Sequence, residues 1–194
     1  MNHPDAHRWN ERYMTDGDAW RASQPRQLLV EQAHWLPPGG LALDAAAGVA
    51  VHGRFLAKRG FHVIALDISE VGLRLARQDA QKKNLWLETA VYNLSHLWLP
   101  PNIFNVIINF RFLERGTFAV YRQALKPGGL LFFETFVRND PEEEHPDYFL
   151  NPGELRAAFA DWQILHWQEG VDGKCGKGYG RSPKVAAQLI ARKP

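Results

Sequence analysis

The sequence predicts an α/β fold: a seven-stranded, mostly parallel sheet with helices on both faces and an antiparallel hairpin at its C-terminal end. Short apolar runs alternate with amphipathic stretches along most of the chain. A run of small residues follows the first apolar run at residues 45–50, and no helical stretch separates the last two apolar runs. Alternating strands and helices favour parallel pairing through crossovers, whereas two strands joined by a loop pair antiparallel.

The chain opens with helical sequence. Residues 5–13 predict a short helix capped by Asp5, and a second helix begins at Pro25, which suits a first helical position. The Pro-Pro-Gly-Gly run at residues 37–40 ends that helix. We therefore expect residues 1–36 to form a helical cap on a single domain that covers residues 1–194.

The remaining elements follow from apolar runs and capping signals. Ser69 caps a helix over residues 70–83, and a Pro-Gly-Glu start predicts a helix after Asn151. Acidic and glycine-rich loops are predicted at residues 138–150 and 170–183. The other predicted helices cover residues 50–59 and 116–125, and the strands cover residues 41–45, 62–66, 85–92, 104–110, 130–137, 163–168 and 185–191.

Composition narrows the class of protein. The 194 residues are 45% hydrophobic and 23% charged, with a formal net charge of +2, as in an ordinary globular domain. Lys and Arg are scattered, which argues against nucleic acid as a partner. No apolar run approaches the roughly 20 residues that span a bilayer, and a single cysteine fits a reducing compartment. We expect a cytoplasmic monomer or homodimer that acts on a small molecule without a metal.

The stretch from Asp44 to Gly48 and the acid Asp67 suggest a nucleotide-type binding site. A strand, a tight small-residue turn, a helix and a second strand ending in an acid follow one another. Such a turn lets a ligand approach the backbone, and an acid in this position can accept hydrogen bonds from ribose hydroxyls. The alternative is a purely structural strand–helix corner of another α/β protein.

Six short motifs extend this pattern along nearly the whole chain. They are Trp9-Asn10-Glu11-Arg12-Tyr13, Leu43-Asp44-Ala45-Ala46-Ala47-Gly48, Leu66-Asp67-Ile68-Ser69, Phe104-Asn105-Val106-Ile107, Leu125-Lys126-Pro127-Gly128-Gly129-Leu130 and Pro152-Gly153-Glu154-Leu155. In this order and spacing the sequence resembles the class I S-adenosyl-L-methionine (SAM)-dependent methyltransferases, and among them the small tellurite-resistance type. The resemblance implies a Rossmann-like methyltransferase fold, SAM as cofactor, and methyl transfer to a small-molecule or oxyanion acceptor.

The resemblance also implies which residues bind the cofactor. Asp67 would accept the ribose hydroxyls, Ile68 would pack on the adenine, and Asn93 stands where relatives often have an aspartate that contacts the adenine amine. Asn93 could instead make a local turn bond. Ala50 replaces a glycine that similar enzymes have. The full expected cofactor set is Trp9, Tyr13, Asp44, Ala46, Gly48, Asp67, Ile68, Asn93, Leu94, Asn109 and Phe110.

The acceptor side is less defined in the sequence. Arg111, His145 and Tyr148 are the candidate catalytic residues, beneath a roof formed by the two predicted loops. A salt bridge from Arg111 to Glu114 or Glu134 is the structural alternative. A general base is needed only if the acceptor arrives protonated. Two other functions stay open: a SAM-binding domain without catalysis, and a nicotinamide-dependent oxidoreductase.

Overall fold

A single seven-stranded sheet organises the chain in the computed structural model, which describes residues 3–139, 146–171 and 184–194. The strand order is β3-β2-β1-β4-β5-β7-β6. The strands are β1 Gly40–Ala45, β2 Phe61–Asp67, β3 Leu87–Val91, β4 Phe104–Phe110, β5 Leu125–Val137, β6 Gln163–Val171 and β7 Val185–Arg192.

Two helices precede the first strand and the others connect strands, as the sequence predicts. Short 3₁₀ turns follow α2 and β3 and precede α6. The helices are α1 Pro4–Ala22, α2 Gln27–Glu31, α3 Val51–Ala57, α4 Glu70–Lys82, α5 Gly116–Ala124 and α6 Glu154–Ala158. None of the helices in the described ranges is long and apolar enough to cross a membrane.

Strand pairing confirms the predicted mixed sheet. The first five strands pair in parallel, with Leu43 of β1 opposite Ile64 of β2 and Ile107 of β4. β7 runs antiparallel to β5 on one side and to β6 on the other. The predicted C-terminal hairpin is therefore present, and its second strand lies inside the sheet next to β5.

Helices cover both faces of the sheet, so successive strand residues enter different cores. Leu43 and Ile107 belong to one buried cluster, whereas Ala42, Val106 and Ile108 belong to the other. Strands that are buried on both faces need continuous apolar sequence rather than alternation. β1 and β4 are parallel neighbours at the centre of the sheet, so their carboxyl ends lie side by side.

The N-terminal cap differs from its prediction. α1 extends to Ala22 with a kink at Asp16, and its N-cap is His3, whose Nδ1 accepts the Asp5 N–H at 3.2 Å. The predicted cap residue, Asp5, lies inside the helix. α1 continues beyond residue 13 because it packs on α4, where a Cβ built on Gly17 would lie 2.7 Å from the Leu75 side chain.

Other boundaries shift for local reasons. α2 starts at Gln27 rather than at Pro25 and gives way to a 3₁₀ turn at Ala33–Trp35. β5 starts at Leu125, five residues earlier than predicted, because Leu125 already pairs with Phe104 before a register shift in that strand pair.

Candidate functional site

The turn between β1 and α3 has an unusual backbone. Ala46, Gly48 and Ala50 all have positive φ angles, of 55°, 55° and 50°. Glycine adopts this left-handed region without steric cost, whereas an L-residue with a Cβ is destabilised there by about 1–2 kcal/mol. Two alanines thus hold a conformation that suits glycine, and the turn keeps the shape that the sequence predicts.

Two buried carboxylates flank this turn. Asp44 Oδ2 accepts the Gly53 N–H at 2.7 Å, which supplies α3 with the side-chain cap that Ala50 lacks. Asp67 Oδ2 accepts the Gly48 N–H at 2.7 Å, and its Oδ1 accepts the Ser69 N–H at 2.8 Å. Each acid therefore orders the backbone on one side of the turn.

The carboxyl groups of Asp44 and Asp67 are buried, so water solvates them poorly. Burial raises the pKa of Asp44 to about 7, and the nearby Asp67 adds to that shift. Burial also raises the pKa of Asp67, against the lowering effect of its backbone hydrogen bonds. A cationic ligand beside these carboxylates would favour their charged forms.

Tyr13 lies against the turn at Gly48, and Trp9 and Trp20 pack around its ring; we call these three rings the aromatic lid. Tyr13 stacks on Trp9 with ring centroids 5.7 Å apart and meets Trp20 edge-on at 5.8 Å. A Cβ built on Gly48 would lie 2.3 Å from the Tyr13 hydroxyl, so a residue larger than glycine would displace the ring. Burial, and secondarily the charge of Asp67, raise the pKa of that hydroxyl.

Two further contacts fix α1 over the site. Asn10 Oδ1 accepts the Ser69 hydroxyl at 2.7 Å and the Val71 N–H at 3.2 Å. Near the end of α1, Arg21 pairs with Asp79 of α4, which also pairs with the buried Arg54 of α3. The hydrogen bonds from Arg21 lower the pKa of Asp79, so this carboxylate is charged at neutral pH.

The expected adenine-side residues lie at the carboxyl ends of β2 and β3. Ile68 is half-buried after β2, and Leu94 is buried in the 3₁₀ turn after β3. Asn93 Oδ1 accepts the Ser95 N–H at 3.0 Å, which is the local turn bond considered above. A carbonyl oxygen has two lone pairs, so this bond leaves Asn93 able to accept another donor.

Asn109 and Phe110 end β4 on opposite faces. Asn109 is fully buried; its Nδ2 donates to the Tyr121 hydroxyl at 3.2 Å, and its Oδ1 has no hydrogen-bond partner among the described residues. Phe110 meets His52 of α3 with ring centroids 4.5 Å apart. His52 is absent from the sequence predictions, although its place in the first turn of α3 is the signal that could have identified it.

A buried ionic cluster lies next to Phe110. Glu134 of β5 pairs with Arg26 at 2.6 Å and with Arg111 at 3.2 Å, and it accepts Gln188 Nε2 at 2.8 Å. The Arg111 guanidinium also lies 4.0 Å from the centre of the Phe136 ring. The Glu134 alternative for Arg111 is therefore realised, and Arg26 joins the cluster without having been predicted.

Of the other two candidate catalytic residues, only Tyr148 lies in the described part of the chain. Tyr148 lies in the 3₁₀ turn Pro146–Tyr148 and is 55% exposed. His145 and most of the two predicted roof loops, residues 140–145 and 172–183, lie outside the described residues.

With this geometry in place, residues 42–129 match the family profile of a methyltransferase domain. This match, the strand order and the antiparallel β7 support the predicted likeness to the class I SAM-dependent methyltransferases. A ubiquinone biosynthesis O-methyltransferase from Methylococcus capsulatus is 28% identical over 142 residues, which cover 69% of this chain and 59% of that protein. The chain thus spans little more than half of that relative.

Solved structures share the fold at lower identity. The crystal structure of TehB from Haemophilus influenzae aligns with a TM-score of 0.78 and 19% identity over 96% of this chain and 67% of that one. A SAM-dependent methyltransferase from Methanosarcina mazei aligns with a TM-score of 0.68 and 19% identity, over 88% of this chain and 99% of that one. The predicted Rossmann-like methyltransferase fold is confirmed.

Proposed function

We propose that the protein binds SAM at the carboxyl ends of β1 and β2 and transfers its methyl group to a small-molecule acceptor. One observation carries the proposal: two buried carboxylates, Asp44 and Asp67, flank a left-handed turn, and the hydrogen bonds that each accepts there come from backbone amides. SAM is a cation with ribose hydroxyls, so it offers both the positive charge and the donors that these oxygens can take.

The residues at the site fit the cofactor. A carboxylate has about four lone-pair sites, so Asp67 can accept ribose hydroxyls while it holds Gly48 and Ser69. The aromatic lid lies against the turn, so Tyr13 has to move for the cofactor to enter and can close over it afterwards. SAM brings an electrophilic methyl group, and the protein's part is to orient the acceptor and exclude water.

The acceptor side is proposed at the end of β4. Asn109 and Phe110 lie there beside the cluster of Arg26, Arg111 and Glu134. We further infer a cytoplasmic monomer or homodimer that acts on small molecules rather than nucleic acid, supported by the single cysteine and the scattered basic residues. Light scattering after size-exclusion chromatography measures the oligomeric state.

Calorimetry with S-adenosylhomocysteine tests the cofactor site. Asp67→Ala should weaken binding by about 1.5–3 kcal/mol, the range for a hydrogen bond to a charged group. Glu70→Ala, an exposed acid in the first turn of α4, is the matched control and should leave the affinity unchanged.

Asp67 also stabilises the turn through its backbone hydrogen bonds, so Asp67→Ala removes both a ligand contact and a support of the turn. A second ligand, which lacks the ribose 2′-hydroxyl, distinguishes these two causes of a lower affinity. If Asp67 binds the ribose, removal of the 2′-hydroxyl from the ligand should cost the wild type affinity and cost Asp67→Ala almost none. Equal losses in both proteins would remove Asp67 from the ribose site.

Binding of NAD in place of S-adenosylhomocysteine would favour the oxidoreductase alternative. Tight binding of S-adenosylhomocysteine without turnover on any acceptor would favour the non-catalytic alternative.

A further inference from the structure

His52 lies in the first turn of α3, next to the point between β1 and β4 where the strand order of the sheet reverses. β1 connects through α3 to β2 on one side, whereas β4 connects through α5 to β5 on the other. In open α/β sheets, ligands bind at such a switch point. The His52 ring lies against Phe110 at the carboxyl end of β4, at an interplanar angle of 31°.

The imidazole has an unused polar atom. His52 Nε2 is buried and has no hydrogen-bond partner among the described residues. A buried polar atom without a partner destabilises a protein. His52 lies between the β1–α3 turn and Phe110, so the partner of its Nε2 is a group that the acceptor brings.

The surroundings of His52 keep it neutral. Burial, and secondarily the charge of Arg26, lower the pKa of His52 to about 3. Arg26 itself is paired with Glu134, which is buried in β5. A neutral imidazole has one nitrogen that can accept a proton, and His52 is in this form at physiological pH.

We propose that His52 accepts the proton of the methyl acceptor, and that this acceptor is therefore a hydroxyl or thiol compound rather than a preformed oxyanion. The inference rests on the proposed function and narrows its substrate class. A lone pair on the acceptor oxygen or sulfur bonds to the methyl carbon, while the bond from that carbon to the cofactor sulfur breaks and leaves its electron pair on sulfur. The acceptor proton moves to His52 Nε2 and passes to water when the product leaves.

The low basicity of His52 is compatible with this role. A hydroxyl or thiol that is methylated before it loses its proton becomes a cationic oxonium or sulfonium, which is a far stronger acid than an imidazolium. The proton therefore moves downhill to the ring as the new bond forms. The positive charge of Arg26 then favours release of that proton to water. A deprotonated oxyanion has no proton to give up, so its methylation would not use His52.

Variants at His52 test the inference with catechol and thiophenol as protonated acceptors and sodium selenite as an oxyanion. His52→Gln should bind S-adenosylhomocysteine within about threefold of the wild type, and its kcat on catechol or thiophenol should fall by about 100-fold or more. Added imidazole should restore part of the activity of His52→Ala, which a merely structural role would not permit. His62→Gln, a half-buried histidine of β2 paired with Glu88, is the control.

A readout without turnover accompanies the kinetics. Catechol titrated with S-adenosylhomocysteine present should shift the ring-nitrogen NMR resonances of His52 and leave those of His62 unchanged. If His52→Gln methylates catechol or thiophenol as fast as the wild type does, the inference is wrong. It is also wrong if the wild type methylates selenite but neither of the protonated acceptors. Both results would leave the proposed function unaffected. Loss of S-adenosylhomocysteine binding by the wild type would refute the proposed function itself.

Discussion

Ala46 and Ala50 hold backbone conformations in which glycine carries no steric penalty. At the scale of single residues, these positions show that the shape of the turn is specified by its surroundings as well as by its own sequence. Asp44 and Asp67 fix the turn from both sides through backbone hydrogen bonds. Gly48 remains glycine where the Tyr13 hydroxyl leaves no room for a Cβ.

Paired substitutions in the turn measure the backbone cost. Ala50→Gly should change the free energy of unfolding by less than about 1 kcal/mol, because relief of the left-handed strain offsets the lost methyl group and the greater freedom of the unfolded chain. Ala47→Gly, at a buried position of the same turn without a positive φ, should destabilise by about 1–2 kcal/mol. Denaturant unfolding measures both, and equal losses would contradict the strain argument.

Ala50→Gly also bears on cofactor binding. Without the methyl group the approach to the turn is wider, so the affinity for S-adenosylhomocysteine should be retained or improved. An increase in Kd of more than about tenfold, worth about 1.4 kcal/mol, would show that the Ala50 methyl group packs in the site instead of obstructing it.

At the scale of elements, α1 is the part of the structure that the sequence described least well. Its first half carries the predicted aromatic residues, but its second half depends on contacts with α3 and α4 that no local pattern reveals. Arg21, Asp79 and Arg54 are separated along the chain and meet only in the folded protein.

Removal of the shared carboxylate should release α1. Asp79→Asn leaves the buried Arg54 without its counter-charge, and loss of one partner of a buried ion pair destabilises by about 3–5 kcal/mol. Asp161→Asn removes the partner of Arg122 in an exposed pair and should have little effect. Thermal unfolding compares the two; similar losses would mean that the Arg21–Asp79–Arg54 contacts do not hold α1 in place.

Hydrogen exchange tests the aromatic lid as a moving element. Binding of S-adenosylhomocysteine should increase protection over residues 9–20, because the rings that move aside for the ligand then close over it and gain contacts with it. Protection should also rise at residues 146–150 if the acceptor roof closes with the lid. Residues 163–168 of β6, at the far edge of the sheet, serve as the internal control. Unchanged exchange over residues 9–20 would identify α1 as a fixed part of the fold.

At the scale of the whole molecule, the carboxylates of the site affect how stability varies with pH. Asp44 has its pKa raised to about 7 in the native protein, so the folded chain keeps a proton that the unfolded chain loses near pH 4. Between these values the native state binds more protons, so stability falls as pH rises, by up to about 1.4 kcal/mol per pH unit.

The difference between wild type and Asp44→Asn isolates this contribution. The wild type should lose stability relative to the variant as pH increases from about 4 to about 7, and the gap should become constant above that range. Urea unfolding at several pH values measures it, with exposed Asp16→Asn as the control. A gap that is independent of pH would mean that Asp44 is charged in the folded protein throughout.

The mixed sheet and its C-terminal hairpin could be predicted, because they follow from the alternation of strand and helix patterns and from the lack of a helical sequence pattern between the last two apolar runs. β4 was predicted with its observed bounds, since Phe104 and Phe110 delimit a mostly apolar segment. Arg26 could not be predicted as a site residue, because only its ion pair with Glu134 gives it a role. The place of His52 in the first turn of α3 was a signal that the sequence prediction did not use. Side-chain neighbours across a sheet edge depend on register and tilt, which periodicity does not specify.

The position of β7 has a consequence for synthesis of the chain. β6 leaves the ribosome before the strand that must separate it from β5, so a nascent chain that ends at Val171 has the whole cofactor half of the sheet but an open edge along β5. That edge carries the apolar residues Phe132 and Phe133 and unpaired backbone groups, a combination that promotes association between chains. Translational pausing at this point should therefore favour aggregation over productive folding.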